Sequence, residues 1–241
     1  LAGDVAFAVA DAETGTWLEC HNETLGTPPA STAKAITALY ALDALGGEHC
    51  FETRICVTGG IVNGEVQGDL VLIGGGDPTL DTNNLADMAA SLKDAGVSRV
   101  KGGVRVIESS LPILRQIDPE QPDHVGYNPG VSGMALNYNR VHFEWKRSAA
   151  GYGVTMDART EKYRPAVGMA VMQVKDRETP VYTYEDRAGR DNWTVARGAL
   201  GKGGARWLPV RKPGLYAGEV FATFAGAHGI RLGKPIIVTN L

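Results

Sequence analysis

Two prolines and two glycines frame the stretch that most restricts how this chain folds. Pro28 and Pro29 precede Ser31, and Gly46-Gly47 close the run from Ser31 to Leu45. Within it Ile36, Leu39, Tyr40 and Leu42, with Ala33, Ala38, Ala44 and Leu45, make a broad apolar face at helical spacing. A face that broad reads as buried. The ends are well marked, because proline suits the chain just ahead of a helix and glycine suits the residue just past it.

The start of this helix carries a candidate for chemistry. Ser31 sits at the first turn, and Lys34 lies three residues on, one turn along the same side. The unpaired N–H groups of a first turn, with the helix dipole, favour developing negative charge there. That positive end disfavours an ammonium, so a neutral Lys34 could take the proton from Ser31 Oγ. The plainer reading makes Ser31 an N-cap and Lys34 a solvated side chain. A Ser–x–x–Lys pattern recurs by chance, and Ser98-Arg99-Val100-Lys101 supplies a second copy. That copy enters a strand, where residues three apart point to opposite faces.

The rest of the chain alternates short strands with two more helices. Residues 4–10 and 16–20 read as a hairpin around Asp11-Ala12-Glu13-Thr14-Gly15. Further strands are expected over 65–73, 100–107, 138–145, 167–174 and 231–238, the last stopping at Asn240-Leu241. Helices are expected over 85–95 and 215–228. With 241 residues the chain can form one large domain or several smaller ones. A net charge of −3 leaves no basic footprint for nucleic acid, and no apolar run is long enough to span a bilayer. The five histidines and three cysteines show no metal-ligand spacing. Neither metal nor cofactor is expected. A Cys50–Cys56 disulfide and free thiols at Cys20, Cys50 and Cys56 both remain open. Asn22-Glu23-Thr24 fits a glycosylation sequon but reads better as a solvated loop.

Several segments together resemble a known family. Val9 to Gly15, Asn22, Pro29-Ala30-Ser31-Thr32-Ala33-Lys34 and Ala41 to Gly46 resemble the start of penicillin-binding transpeptidase domains. Gly68-Asp69-Leu70-Val71-Leu72-Ile73-Gly74-Gly75-Gly76-Asp77-Pro78-Thr79-Leu80 is more specific. It resembles the D-alanyl-D-alanine carboxypeptidase/endopeptidases, the low-molecular-mass class C penicillin-binding proteins. Val100 to Val104, Tyr127-Asn128-Pro129, Ala135 to Asn139 and Tyr216 to Ile230 fit the same family. The resemblance implies an α/β fold, the N-terminal part of a transpeptidase/β-lactamase-like domain followed by inserted β-rich domains. Residues 1–60 would be its first segment, and 61–241 inserted α+β material with one domain nested in another. It implies that Ser31 attacks the D-Ala-D-Ala bond of a peptidoglycan stem peptide, forms an acyl-enzyme and is acylated by β-lactams. It implies an exported, periplasmic setting. Asp123 and Tyr127 lie in the region where the family's acidic residue and aromatic contact the free end of the stem-peptide side chain, although their spacing departs from the family pattern and they also read as loop residues before a strand.

The family also uses a Ser–x–Asn and a Lys–Thr–Gly motif, and neither occurs in this sequence. Lys101-Gly102-Gly103 and Lys202-Gly203-Gly204 are glycine-rich turns only. The expectation is therefore that the remainder of the transpeptidase domain lies on a C-terminal fragment, held as a partner or lost by truncation. A β-lactamase and a non-catalytic peptidoglycan-binding scaffold are the alternatives.

Overall fold

The computed structural model describes residues 3–239, which form two compact units divided between Cys50 and Phe51. The expected strand end at Asn240-Leu241 lies outside the described residues. The boundary falls ahead of residue 60 because the segment at 53–57 pairs within the second unit.

The first unit is a hairpin and a helix. Strands β1 (Phe7–Ala10) and β2 (Trp17–His21) pair antiparallel, with a bulge between Val9 and Ala10. Asp11 makes the turn, its carboxylate accepting from the N–H groups of Glu13 and Thr14. A 3-10 turn at Ala30–Thr32 leads into α1 (Ala33–Leu45). Gly46, at φ 81°, ends α1 and returns its N–H to Leu42 O at 3.0 Å. The face expected to be buried is exposed: Ile36 is 74% and Leu39 69% accessible. Among the described residues one two-stranded hairpin is the unit's only sheet, too little surface to cover a helix apolar on most sides.

The second unit is built on a four-stranded sheet of order β15-β8-β6-β3. Its strands are β3 (Thr53–Val57), β6 (Leu70–Gly74), β8 (Val104–Ile107) and β15 (Ile236–Val238). The last three run parallel and β3 runs antiparallel to β6. Helix α2 (Thr82–Asp94) makes the crossover from β6 to β8, and α3 (Pro213–Ala227) precedes β15. Asp81 caps α2 reciprocally with Asn84. A small sheet of β4 (Ile61–Val62), β5 (Glu65–Val66) and β7 (Arg99–Val100) flanks this frame in the order β4-β5-β7. Thr53 pairs with Gly74, and Val238 pairs with Ile107, which itself pairs with Ile73. The chain therefore joins and leaves this sheet at one end, on its two outer strands.

Two further sheets are inserted between Asn139 and Val210. Strands β9 (Arg140–Ser148), β10 (Gly151–Asp157) and β14 (Gly203–Pro209) form one, in the order β10-β9-β14. Strands β11 (Ala170–Lys175), β12 (Tyr182–Arg187) and β13 (Arg190–Ala196) form the other, in the order β11-β13-β12. The neck of this insert is closed by Val210 N–H donating to Asn139 O at 2.8 Å. Trp193, Phe143, Tyr216 and Phe221 are fully buried in one core that runs through the second unit. Each such side chain contributes roughly 1.5–3 kcal/mol by leaving water.

Several expected boundaries shift for local reasons. The strand expected over 65–73 is two, β5 and β6. Gly68 presses against the Thr58 backbone, and Asp69 turns to accept from Gly103 N–H at 2.7 Å. The strand expected from Tyr138 starts at Arg140, since Asn137, Tyr138 and Asn139 all take left-handed φ angles near 50–57°. Helix α3 starts two residues early, with Pro213 in its first turn.

Candidate active site

Lys34 Nζ lies 2.8 Å from Ser31 Oγ, within hydrogen-bond reach. Ser31 occupies the 3-10 turn and Lys34 the first turn of α1, so the contact spans the junction. The N-cap reading of Ser31 is overturned. Thr32 holds the cap position of α1, and no side chain caps either turn. Thr32 instead turns back, its Oγ1 donating to Pro29 O at 2.5 Å and its N–H to the same oxygen at 3.0 Å. Between them Ala30 is held at φ 45°, a left-handed conformation that costs an alanine about 1–2 kcal/mol. The turn that presents Ser31 is thus strained and fixed by a local pair of bonds.

The second Ser–x–x–Lys copy behaves as its strand setting requires. Ser98 Oγ donates to Gly64 O at 3.1 Å, and Lys101 uses its backbone N–H on Val66 O. No hydrogen bond joins the Ser98 and Lys101 side chains.

The glycine-rich run at 74–77 is scaffold. A Cβ on Gly74 would sit 2.4 Å from Gly133 O, and one on Gly75 would sit 2.2 Å from Glu52 O. Both positions admit glycine only, because backbone cannot retreat. Asp77 closes the turn by accepting from Thr79 N–H at 2.9 Å and Thr79 Oγ1 at 2.8 Å. Asp69 likewise is tied to Gly103 N–H and Arg105, which hold its carboxyl below the usual carboxylate range.

In the second unit, Asp123 and Tyr127 share one loop but face different ways. The Asp123 carboxylate lies 3.7 Å from Arg211 Nη2 and is half exposed. Tyr127 is exposed, its hydroxyl donating to Gln121 Oε1 at 3.0 Å. It lines a concavity of about 300 Å³ with Ile117, Gly126, Pro129, Tyr138 and Arg140, and Asp123 does not line it. Tyr138 and Arg140 are the neighbours that the sequence reading missed. The Arg140 guanidinium stands 5.3 Å over the Tyr138 ring and 5.5 Å over that of Trp207. The available signal was Asn137-Tyr138-Asn139, since asparagines favour the left-handed turn that pushes Tyr138 outward. A larger hollow of about 590 Å³ between α2 and β3 holds none of the candidate residues.

No group of three or more metal-ligating side chains occurs among the described residues. All three cysteines carry free thiols. No described helix is long and apolar enough to cross a membrane.

Residues 1–240 match the family described as the D-Ala-D-Ala carboxypeptidase 3 (S13) family. A D-alanyl-D-alanine carboxypeptidase from Actinomadura sp. (strain R39) is 36% identical over 129 residues, which is 53% of this chain and 24% of that protein. The D-alanyl-D-alanine carboxypeptidase DacB of Haemophilus influenzae is 37% identical over 82 residues, 34% of this chain and 17% of that protein. The crystal structure of penicillin binding protein 4 (dacB) from Haemophilus influenzae has a similar fold. Its TM-score is 0.72 at 20% identity, over 97% of this chain and 53% of that one. The same protein complexed with a novel beta-lactam gives 0.67 at 19% identity, over 97% and 51%. The chain thus spans about half the length of the structures that it matches.

Proposed function

The chain belongs to the D-Ala-D-Ala carboxypeptidase 3 (S13) family, and from that premise we propose that it carries the nucleophile and base of a serine D-Ala-D-Ala carboxypeptidase/endopeptidase. The observation that carries this reading is the 2.8 Å contact between Lys34 Nζ and Ser31 Oγ. Ser31 Oγ attacks the carbonyl carbon between the two D-alanines while Lys34 Nζ takes the hydroxyl proton. Collapse of the tetrahedral adduct breaks the C–N bond, and Lys34 returns the proton to the departing amine of D-alanine. Water then attacks the carbonyl carbon of the Ser31 ester, giving its proton to Lys34; the C–Oγ bond breaks, Lys34 returns the proton to Ser31 Oγ, and the shortened stem peptide leaves. A β-lactam acylates the same oxygen as its ring opens. An exported, periplasmic enzyme suits this substrate.

The fold supports a split architecture. The first unit supplies the opening segment of the transpeptidase-like domain. The second joins and leaves its main sheet at one end, as suits a module inserted between two segments of another domain. The neck at Asn139 and Val210 suits a further nested insert. The exposed side of α1 calls for a cover, and the occupant proposed is the polypeptide carrying the family's Ser–x–Asn and Lys–Thr–Gly motifs. The matched structures are about twice as long as this chain, which leaves room for it.

The deciding experiment is covalent labelling of the complete protein by a fluorescent penicillin. Labelling that disappears in Ser31→Ala is expected. A folded, complete protein that takes no label would overturn the reading in favour of a peptidoglycan-binding scaffold. Rapid hydrolysis of the acyl-enzyme would favour a β-lactamase.

A further inference from the structure

The loop from Leu114 to Val131 is long and without helix or strand, yet it is tightly tied. Leu114 and Val131 exchange both backbone hydrogen bonds at 2.9 Å and close its ends. Asn128 is buried inside, accepting from Asp118 N–H at 2.8 Å and donating to Asp118 O at 2.7 Å. The remaining space is filled from another element. Arg211, between β14 and α3, sends in a guanidinium whose side chain is 1% exposed. Its Nη1 donates to Asn128 O and to Arg115 O, and its Nη2 donates to Asp123 O at 2.9 Å. One side chain thus reads carbonyls at three separate points of one loop. Only a planar fork of several donors can do so.

The base of that side chain is fixed in turn. Arg211 N–H donates to Asp191 Oδ2 at 2.8 Å, and Tyr184 OH donates to Asp191 Oδ1 at 2.9 Å. Asp191 is fully buried. A buried cation committed to carbonyls is a costly way to brace a loop unless its shape matters. The loop's outward groups include Asp123 and Tyr127.

We infer that Arg211 is a positioning residue: it sets the shape in which the 114–131 loop presents Tyr127 and Asp123 to the side chain of the stem peptide. This rests on the reading that those two residues contact substrate. The fork acts on recognition of the peptide and leaves the acylation chemistry of Ser31 alone.

The test uses the complete protein, wild type and Arg211→Lys, since a lysine keeps the charge but loses the fork. Turnover of a stem pentapeptide ending in D-Ala-D-Ala is compared with acylation by benzylpenicillin, which lacks the stem side chain. Hydrogen exchange of residues 114–131 is followed in parallel. Expected are a fall of about 10- to 100-fold in kcat/KM for the pentapeptide, an unchanged acylation rate, and faster exchange confined to the loop. Equal loss on both substrates would overturn the proposal by making Arg211 a general structural prop. Pentapeptide turnover lowered by Tyr127→Ala or Asp123→Ala but not by Arg211→Lys would overturn the positioning role alone. Turnover unchanged in Tyr127→Ala and Asp123→Ala would overturn the contact reading and this proposal with it.

Discussion

Lys34 Nζ meets Ser31 Oγ at 2.8 Å across the join between a 3-10 turn and α1. A base one turn from its nucleophile needs no other element to aim it. In the complete protein, Ser31→Ala is expected to remove penicillin acylation. The guanidinium of Lys34→Arg stays protonated and cannot accept a proton, which should slow acylation by about a thousandfold or more. Stopped-flow labelling measures both, and acylation at near wild-type rate in Lys34→Arg would assign the base elsewhere.

Helix α1 shows Ile36 at 74%, Leu39 at 69% and Tyr40 at 72% accessibility. In the 241-residue chain alone, Ile36→Glu should change stability by less than about 0.5 kcal/mol, because the side chain is already mostly in water. In the complete protein the same change would bury an unpaired charge, costing about 3 kcal/mol or more and lowering the urea midpoint. Equal, small effects in both settings would mean that α1 stays uncovered.

The sequence exposed some of this and hid the rest for physical reasons. Helix α1 and its C-terminal end were legible because a glycine cap and 3.6-residue spacing act locally, whereas its start falls at Ala33, past the 3-10 turn that holds Ser31. The left-handed turn at Asn137–Asn139 left a signal in its two asparagines, but Tyr138 between them carries no local preference for it, so a strand was expected from Tyr138. The carbonyls of the 114–131 loop hold that turn's neighbourhood through Asn139 Nδ2, which donates to Gly130 O at 2.9 Å. The Arg211 fork was invisible, since its partners at 115, 123 and 128 are backbone groups with no side-chain signature. A contact between neighbours in sequence could be read, and contacts closed by tertiary structure could not.

Gly74 shows how tightly the main sheet meets the loop behind it. A Cβ there would collide with Gly133 O and with Gly133 C at 2.7 Å, and both atoms are backbone. Gly74→Ala is expected to cost about 2–4 kcal/mol. Gly226 lies on α3 with open space around its Cβ position, so Gly226→Ala should gain about 0.5–1 kcal/mol by helix propensity. Urea denaturation of the pair separates close approach from backbone freedom as the reason for the glycines.

Acid should weaken the second unit before the contributions of Glu144 and Asp69 are lost, and His142 gives the reason. It is 8% exposed and its Nδ1 is buried without a hydrogen-bond partner. Burial lowers its pKa below 6.5, and the Arg159 charge adds to that, while Asp157 and Glu144 oppose it and Arg164 reinforces it. Trp207 meets the ring edge-on at 5.0 Å. Burial lowers His124 in the same sense. The unfolded chain therefore takes up these protons first, so the stability that they contribute is full above about pH 6.5 and is lost as pH falls through the folded values. Glu144 and Asp69 are held below their ordinary 4.5 and 3.8, so their losses come at lower pH. Asp191 runs the other way. Burial raises its pKa, so its contribution is present at low pH and fades as pH rises from 3.8 through its folded value. Comparing His142→Gln with wild type cancels that background. The urea midpoint of the wild type should drop between pH 7.5 and 5.5, and the drop should be smaller in His142→Gln. An undiminished drop in the variant would move the acid sensitivity away from this buried imidazole.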